Sequence, residues 1–181
     1  MKKLALVLAA AGAFALMPAA PALASLETPE AKAEATDATM MAQYDKEEVF
    51  GEKQLRPGSY LWREGSFAGE ARVVVSISDQ LAYLYRGEQL VAVSTISTGT
   101  DKNPTPRGIF SVLAKKPMHR SIKYDNAPMP FMQRIDDYGI AMHAGHLPGY
   151  PASHGCIRLP SEFAKRLYGV TDLGATVMIG A

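Results

Sequence analysis

Apolar side chains alternate along the middle of the chain, and this alternation constrains the fold more than any other feature of the sequence. In the stretch ARVVVSIS, Val73, Val75 and Ile77 recur at every second position, so they share one face of an extended strand. The stretch QLAYLYRGEQLVAVSTIS predicts two more strands, joined by a hairpin turn at residues 86–88. The pattern therefore indicates a mostly β domain.

The remaining motifs of this region predict further strands and one short helix. The stretches GIFSVLA and YGIAMH are typical of strands, and a loop rich in Thr, Pro and Gly precedes the first of them. Ser161 is predicted to be the N-cap of the helix EFAKRLYG, which Gly169 would close. The stretch ATVMIG is predicted to form the last strand. Residues 57–181 thus fit a single domain of ordinary size.

The first 24 residues have the composition of an export signal. Lys2 and Lys3 precede an apolar run, and residues 22–24 (Ala-Leu-Ala) are the small residues that a signal peptidase reads. The run is shorter than the roughly 20 residues of a membrane span, so a retained anchor is the weaker alternative. We expect cleavage before Ser25, which leaves an exported protein with no stable membrane span.

Residues 25–56 differ from the region that follows them. They are rich in alanine and acidic side chains, residues 25–48 contain neither valine nor isoleucine, and there is no sustained apolar stripe. Such a composition is typical of a flexible segment. We therefore predict an acidic, Ala-rich tether that leads into the folded domain of residues 57–181.

Charge and cysteine content narrow the class of protein. The net charge is +1 and the folded region is only faintly basic, so a nucleic-acid partner is excluded. The chain has one cysteine and cannot form an internal disulfide, although an exported protein meets an oxidising compartment. A leftover cysteine of this kind suggests a reactive thiol or an intermolecular bond, the alternative being a small buried apolar residue.

The stretch HAGHLPGYPASHGCIRLP, residues 143–160, holds that cysteine and three of the four histidines. A neighbouring histidine makes thiolate available from a thiol. Gly155 lets the backbone turn sharply before Cys156, and the N–H groups of both residues could bind an oxyanion. By geometry alone, either His143 or His154 could be the base.

Two alternatives to a catalytic thiol are a metal site and a purely structural role for the histidines. Zinc accepts histidine and thiolate ligands, but the spacing H-x-x-H in a Gly/Pro loop is not the helical spacing of the hydrolytic zinc motif. The histidines could also simply cap turns. The side chains that such a metal site would use are His143, His146, His154 and Cys156. We favour the catalytic thiol, with no metal and no cofactor.

The sequence resembles the L,D-transpeptidase (YkuD/ErfK) family. The most specific stretch is SHGCIRL, with a strand-terminal histidine upstream in YGIAMHAG. The stretches VVVSISDQLAYLYRGEQLVAVSTISTG and NPTPRGIFSV resemble the opening hairpins and the Thr-Pro-x-Gly-x-[FY] element of the family. The resemblance covers residues 71–180. It implies a mostly β fold, of the β-sandwich or barrel-like kind, with one or two short helices.

The resemblance also implies roles for individual residues. Cys156 matches the nucleophile, and His143 matches the general base and acid. The residues that match the walls of the site and its oxyanion hole are Ser153, His154 and Gly155. Arg158 matches a frequent arginine of the family and is expected to bind a stem carboxylate or to form an internal ion pair. Only nine residues separate His143 from Ser153, fewer than in many members, which is expected to alter the acceptor side.

Residues 115–137 are interpreted as a lid beside the cleft, as family members carry there. Met129, Phe131 and Met132 would contact the stem peptide, since methionine adapts to irregular surfaces. The alternative is ordinary loop packing onto the core.

The activity implied by the resemblance is acyl transfer on peptidoglycan. A tetrapeptide stem would lose D-alanine through a cysteine thioester, and an amine would take the acyl group: a second stem, a D-amino acid or a lysine of an envelope protein. Alternatives are an L,D-carboxypeptidase or crosslink hydrolase with the same site, and a non-catalytic wall-binding module. A papain-like peptidase would carry its histidine downstream of the cysteine. The expected location is the cell envelope, the periplasm more than a Gram-positive wall.

Overall fold

The computed structural model describes residues 25–181, so the predicted export signal, residues 1–24, lies outside the described residues. In chain order the elements are β1 (Ser25–Leu26), α1 (Pro29–Phe50), β2 (Tyr60–Trp62), β3 (Ala71–Ser76), β4 (Leu81–Arg86), β5 (Gln89–Thr95), β6 (Gly108–Ser111), β7 (Ala114–Arg120), β8 (Pro128–Arg134), β9 (Ala141–Ala144), β10 (Ile157–Leu159), α2 (Ser161–Val170) and β11 (Thr176–Gly180). None of the helices described is both long enough and apolar enough to cross a membrane.

The strands form two sheets that enclose the main core. One has seven strands in the order β1-β6-β11-β3-β4-β5-β2, and the other has four in the order β10-β9-β8-β7. Val73 and Val75 from the first sheet pack in one buried cluster with Ile157 and Leu159 from the second and with Phe163 of α2. The predicted mostly β fold is therefore confirmed, and the two sheets make it a sandwich; of its two helices only α2 is short, since α1 has 22 residues.

The alternation that opens the folded region is realised as β3 and the β4–β5 hairpin. Val73 and Val75 face the main core, as predicted, but Val74 between them is buried as well, in a second cluster on the outer face of the sheet. The turn lies where it was expected, and Gly87 adopts a φ of 55°, which glycine tolerates best. Both faces of this sheet are covered.

The cover on the outer face is α1, so the predicted flexible tether is wrong for residues 29–50. Thr28 caps the helix, its Oγ1 accepting a hydrogen bond of 3.2 Å from the N–H of Ala31. The residues that α1 buries are Ala31, Ala35, Thr39 and Ala42. They recur every three or four positions, but all are small, which is why no apolar stripe was evident in the sequence. A Cβ on Gly180 of β11 would lie 2.6 Å from the carbonyl oxygen of Ala35, so helix and sheet approach closely.

The helix α2 begins at Ser161 and continues past Gly169 to Val170, so Ser161 is the first helical residue rather than the cap. No side chain caps its start, since Pro160 occupies the N-cap position. At the other end, the Lys115 Nζ donates to the carbonyl oxygens of Tyr168 and Thr171, and Arg86 Nη1 donates to that of Val170. Cations that satisfy the last carbonyls stabilise the final turn, which explains why the helix does not end at the glycine.

Candidate active site

Two neighbouring strands bring His143 and Cys156 to one cleft. β10 pairs with β9 in parallel, with Arg158 opposite His143, and Cys156 lies immediately before β10. Because side chains two apart on a strand share a face, Cys156 and Arg158 lie on the same side as His143. All three line a cleft of about 730 Å³. The structure therefore groups the predicted nucleophile, base and arginine.

The loop before β10 is held in one conformation by its own hydrogen bonds. Ser153 Oγ donates to the carbonyl oxygen of Cys156 over 2.5 Å and accepts from the N–H of Gly155 over 3.1 Å. Gly155 has a φ of 110°, and a Cβ there would lie 2.6 Å from Ile140 Cδ1. Only glycine fits this position, because an L side chain would be both strained and in collision.

These bonds change the prediction made for the oxyanion hole. The N–H of Gly155 donates to Ser153 Oγ in this structure, so one of the two N–H groups predicted for the oxyanion hole is already engaged. The N–H of Cys156, by contrast, has no hydrogen-bond partner among residues 25–181. The sequence did not reveal that the Ser153 hydroxyl takes the first of these two donors, and the role of the Cys156 N–H stays a prediction.

The thiol of Cys156 is half-buried in an apolar setting. Met129, Met132 and Ala141 form a small buried cluster against which Cys156 packs. Burial raises the pKa of the Cys156 thiol, and the hydrogen bond from Ala141 N–H and the nearby charge of Arg158 lower it by less. At rest the side chain is therefore a thiol rather than a thiolate.

His143 is buried and oriented by the backbone. Its Nδ1 donates to the carbonyl oxygen of Ala144 over 2.8 Å, so in the neutral ring Nε2 carries the lone pair. Burial lowers the pKa of His143, the bond to Ala144 opposes this shift, and the charge of Arg158 adds to it. A histidine in this state is a neutral base at neutral pH, with the proton-accepting nitrogen defined.

The predicted lid is a β-hairpin, β7–β8, rather than an irregular loop. At its tip the ring of Tyr124 stacks on His154, with centroids 4.4 Å apart and planes 23° from parallel. His154 itself is exposed, and it lines the same cleft as Cys156. The predicted segment thus touches the loop that carries Cys156.

The three substrate-binding candidates of the hairpin do not all reach the cleft. Met129 and Met132 line it, whereas Phe131 packs near the ring of Tyr168 on α2, at a centroid distance of 6.1 Å. Phe131 has a φ of 55°, which interrupts the alternation of faces along β8. The two methionines on either side of it can therefore face the same way. The expectation for Phe131 as a cleft residue is wrong.

The cleft carries positive charge. Lys123, Arg134 and Arg158 line it, and none of the described lining residues is Asp or Glu. Arg134 is paired with Asp137 at 3.2 Å, but Arg158 takes part in none of the ion pairs found within residues 25–181. Arg158 was expected either to bind a stem carboxylate or to form an internal ion pair, and the described structure contains no such ion pair. The guanidinium of Arg158 is therefore able to bind a carboxylate through two parallel hydrogen bonds.

The zinc interpretation has no counterpart in this geometry. Across residues 25–181, no three side chains of His, Cys, Asp or Glu come together in a way that could hold a metal ion. His146 is exposed at the rim of the cleft.

One polar side chain of the site was missed by the sequence analysis. Thr105 Oγ1 accepts from the N–H of Gly99 and donates to the carbonyl oxygen of Gly155, both over 2.8 Å. Two signals were available: this threonine opens the Thr-Pro-x-Gly-x-[FY] element, and it lies between Pro104 and Pro106, which restrict the backbone. Neither signal shows which groups the hydroxyl contacts.

Comparisons with known proteins agree on one family. A model of the YkuD family, the L,D-transpeptidase catalytic domain, matches residues 70–179. An L,D-transpeptidase from Mycobacterium smegmatis is similar in structure, with 23% identity over 62% of this chain and 59% of that one and a TM-score of 0.58. One from Stackebrandtia nassauensis has 22% identity, coverages of 75% and 64%, and a TM-score of 0.58.

A third similar structure is L,D-transpeptidase 3 from Mycobacterium tuberculosis in complex with a faropenem-derived adduct. It has 25% identity over 61% of this chain and 60% of that chain, with a TM-score of 0.57. The matched region therefore spans about three fifths of the length of these relatives. No curated protein sequence matches the chain significantly.

Proposed function

The chain belongs to the L,D-transpeptidase (YkuD) family, and from this membership we propose that it is a cysteine-dependent acyltransferase acting on peptidoglycan tetrapeptide stems. The observation that carries the proposal is the pairing of β9 with β10, which places a buried, neutral His143 and Cys156 in one cleft. Nucleophile, base and a free backbone N–H are the parts that acyl transfer through a thioester requires.

In the proposed first step, Cys156 attacks the carbonyl between the diamino acid of the stem and its terminal D-alanine. His143 Nε2 takes the thiol proton as the S–C bond forms, and the N–H of Cys156 binds the oxyanion. The C–N bond then breaks, and the proton on Nε2 passes to the leaving amine of D-alanine. A thioester remains on Cys156.

In the second step an amine attacks the thioester, and His143 again accepts a proton. The new amide bond forms as the S–C bond breaks, and the proton returns to the thiolate. The proposed acceptors are a second stem, which gives a 3→3 crosslink, a free D-amino acid, or a lysine of an envelope protein. If water attacks instead, the enzyme is an L,D-carboxypeptidase or a crosslink hydrolase.

The protonation states support a mechanism in which proton transfer accompanies attack. Burial raises the pKa of Cys156 and lowers that of His143, and both shifts favour the uncharged thiol and imidazole over an ion pair before substrate binds. The fixed charge of Arg158 favours the thiolate and disfavours the imidazolium. The thiol therefore becomes nucleophilic only as the neighbouring base removes its proton.

Intact-protein mass spectrometry tests the proposal directly. On mixing with a disaccharide tetrapeptide, we expect an adduct of the stem minus D-alanine, located on Cys156 by peptide mapping at low pH. Enzyme treated beforehand with iodoacetamide is the matched control and should gain no adduct. If neither an adduct, nor released D-alanine, nor a product forms, the proposal fails. Release of D-alanine with only tripeptide as product, even with added amines, would assign the hydrolase.

We also propose that Arg158 selects stems with a free carboxylate. An amidated stem removes the charge that would pair with the guanidinium, so we expect its KM to be about tenfold higher than that of the acid form. In Arg158→Gln the two stems should have KM values within about threefold of each other. Lys116→Gln, at an exposed position outside the cleft, is the control and should keep the discrimination. Equal KM values for both stems in the wild type would contradict the assignment.

The proposed location is the cell envelope, where the substrate is found. We propose that residues 1–24 are removed on export, that the periplasm is the compartment, and that residues 57–181 carry the catalytic domain with residues 29–50 packed on it. N-terminal sequencing of protein recovered from the envelope fraction should begin near Ser25. A product that still carries residues 1–24 and sediments with membranes would indicate a retained anchor instead.

A further inference from the structure

A buried hydroxyl outside the proposed catalytic pair connects two segments of backbone at the site. Thr105 is 5% exposed and belongs to the loop between β5 and β6. Its Oγ1 accepts from Gly99 N–H and donates to the carbonyl oxygen of Gly155. Because an N–H can only donate and a carbonyl oxygen can only accept, the hydroxyl accepts from Gly99 and directs its single proton to Gly155. The direction of both bonds is thereby defined.

The carbonyl of Gly155 and the N–H of Cys156 belong to the same peptide unit. That unit is planar and trans, since the described chain contains no cis peptide bond, so its C=O and N–H point in opposite directions. Holding the oxygen of Gly155 on Thr105 therefore turns the N–H of Cys156 to the other side. This N–H is the one that the site leaves free, because Ser153 occupies that of Gly155.

The loop that carries Thr105 is pressed against the residues before Cys156. A Cβ on Gly99 would lie 2.1 Å from the carbonyl oxygen of Asn103 and 2.9 Å from the Cα of Gly155. The backbone N–H of Ser153 also donates to the carbonyl oxygen of Thr98 over 3.0 Å. The loop between β5 and β6 is thus in direct contact with the peptide between Gly155 and Cys156. Little space remains for that peptide to rotate.

We propose that Thr105 is a positioning residue that aims the N–H of Cys156 at the oxyanion formed during acyl transfer. This inference rests on the proposed function for its substrate, but the contact itself does not depend on the identity of the stem. Replacing the hydroxyl with a methyl group would remove the partner of two backbone groups, the N–H of half-buried Gly99 and the C=O of buried Gly155. The peptide between Gly155 and Cys156 could then rotate to find another partner, and the N–H of Cys156 would no longer point at the oxyanion.

Comparing two reactions of the Cys156 thiol, acylation and alkylation, distinguishes a positioning role of Thr105 from a purely structural one. Attack on an activated ester such as p-nitrophenyl acetate passes through an oxyanion, whereas alkylation by iodoacetamide is a displacement at a saturated carbon and forms none. For Thr105→Val we expect the acylation rate to fall about 10- to 100-fold, since a well-placed oxyanion donor contributes about 10²- to 10³-fold. The alkylation rate should stay within about twofold of the wild type, because the thiol and His143 are unchanged.

A serine at position 105 tests whether the hydroxyl itself is what matters. Thr105→Ser keeps the hydroxyl and should restore acylation to within about threefold of the wild type. If Thr105→Val does not fold, as judged by its thermal transition, Thr105→Ala gives the same comparison. Equal loss of both reactions, or unchanged acylation, would overturn the inference. Because the ester needs no stem recognition, failure of the tetrapeptide to react would reject the proposed function while leaving this comparison measurable.

Discussion

Cys156→Ser is expected to release D-alanine from a tetrapeptide stem at least about 10⁴ times more slowly than the wild type. The serine hydroxyl has nearly the same shape as the thiol and should keep the packing on Met129 and Met132. Its proton is far less acidic, and a single buried histidine with a lowered pKa is too weak a base to remove it. A coupled assay for free D-alanine measures the rate, and the thermal transition should be unchanged.

His143→Gln should cause a loss of similar size, about 10³-fold or more, because the thiol then has no base. The double variant should be scarcely slower than Cys156→Ser, since the two residues act as a unit and their effects are not additive. Exposed His146→Gln is the matched control and should lose less than about threefold. Additive losses in the double variant would show that the two side chains do not share one reaction step.

The pH dependence of acylation follows from the same two groups. The wild-type rate should fall as the pH drops through the pKa of His143, which burial places below the ordinary histidine range. It should rise at alkaline pH in His143→Gln, because there the thiolate forms only by ionisation of a thiol whose pKa is raised. An acid limb that survives in His143→Gln would mean that another group is the base.

Deletion of residues 25–50 is expected to prevent stable folding. The deletion uncovers an apolar outer surface made by Val74, Tyr83, Val93 and Met178, which α1 otherwise shields. It also removes the hydrogen bond of 2.6 Å from the Tyr85 hydroxyl to Asp45. Domains are stable by only roughly 5–15 kcal/mol, and each Å² of apolar surface returned to water costs about 25 cal/mol, so exposing this surface is expected to remove much of the stability. Solubility and circular dichroism of the truncated protein measure the effect.

A point substitution on α1 gives a sharper version of the same test. Ala35 is fully buried against the sheet, whereas Ala33, two residues before it, is exposed. Ala35→Leu overpacks the interface and should cost about 1–3 kcal/mol. This corresponds to a fall in Tm of about 3–10 °C. Ala33→Leu should change stability by less than about 0.5 kcal/mol. Equal Tm values for the two variants would restore the tether interpretation.

The elements that sequence analysis located correctly are those with a strong local signal. Period-two alternation located β3 and the β4–β5 hairpin, and the Arg-Gly-Glu sequence located the turn between them. The cleft residues Cys156 and His143 were identified because the resemblance is densest there, and the parallel pairing of β9 with β10 is what brings them together. Each of these features depends on a few neighbouring residues.

The features that were missed depend on contacts between distant segments. The buried face of α1 is made of alanines and one threonine, so it was invisible to a pattern based on large apolar side chains, and only Gly180 of β11 shows why small residues are needed there. The turn of β8 at Phe131 comes from a left-handed backbone conformation that the sequence does not specify. The hydrogen bond from Gly155 N–H to Ser153 Oγ likewise depends on the rotamer of the serine, which the sequence does not specify.

The position of β11 has a consequence for the kinetics of folding. This strand is the last of the fold along the chain, yet it lies inside the seven-stranded sheet, between β6 and β3. Until residues 176–180 have left the ribosome, β6 and β3 each present an open edge, and the sheet is split in two. Closing it joins segments separated by about a hundred residues, which is slow because the loop entropy is lost before the contacts form. Closure of the large sheet therefore waits for β11, and until then the open edges of β6 and β3 are free to pair with other strands.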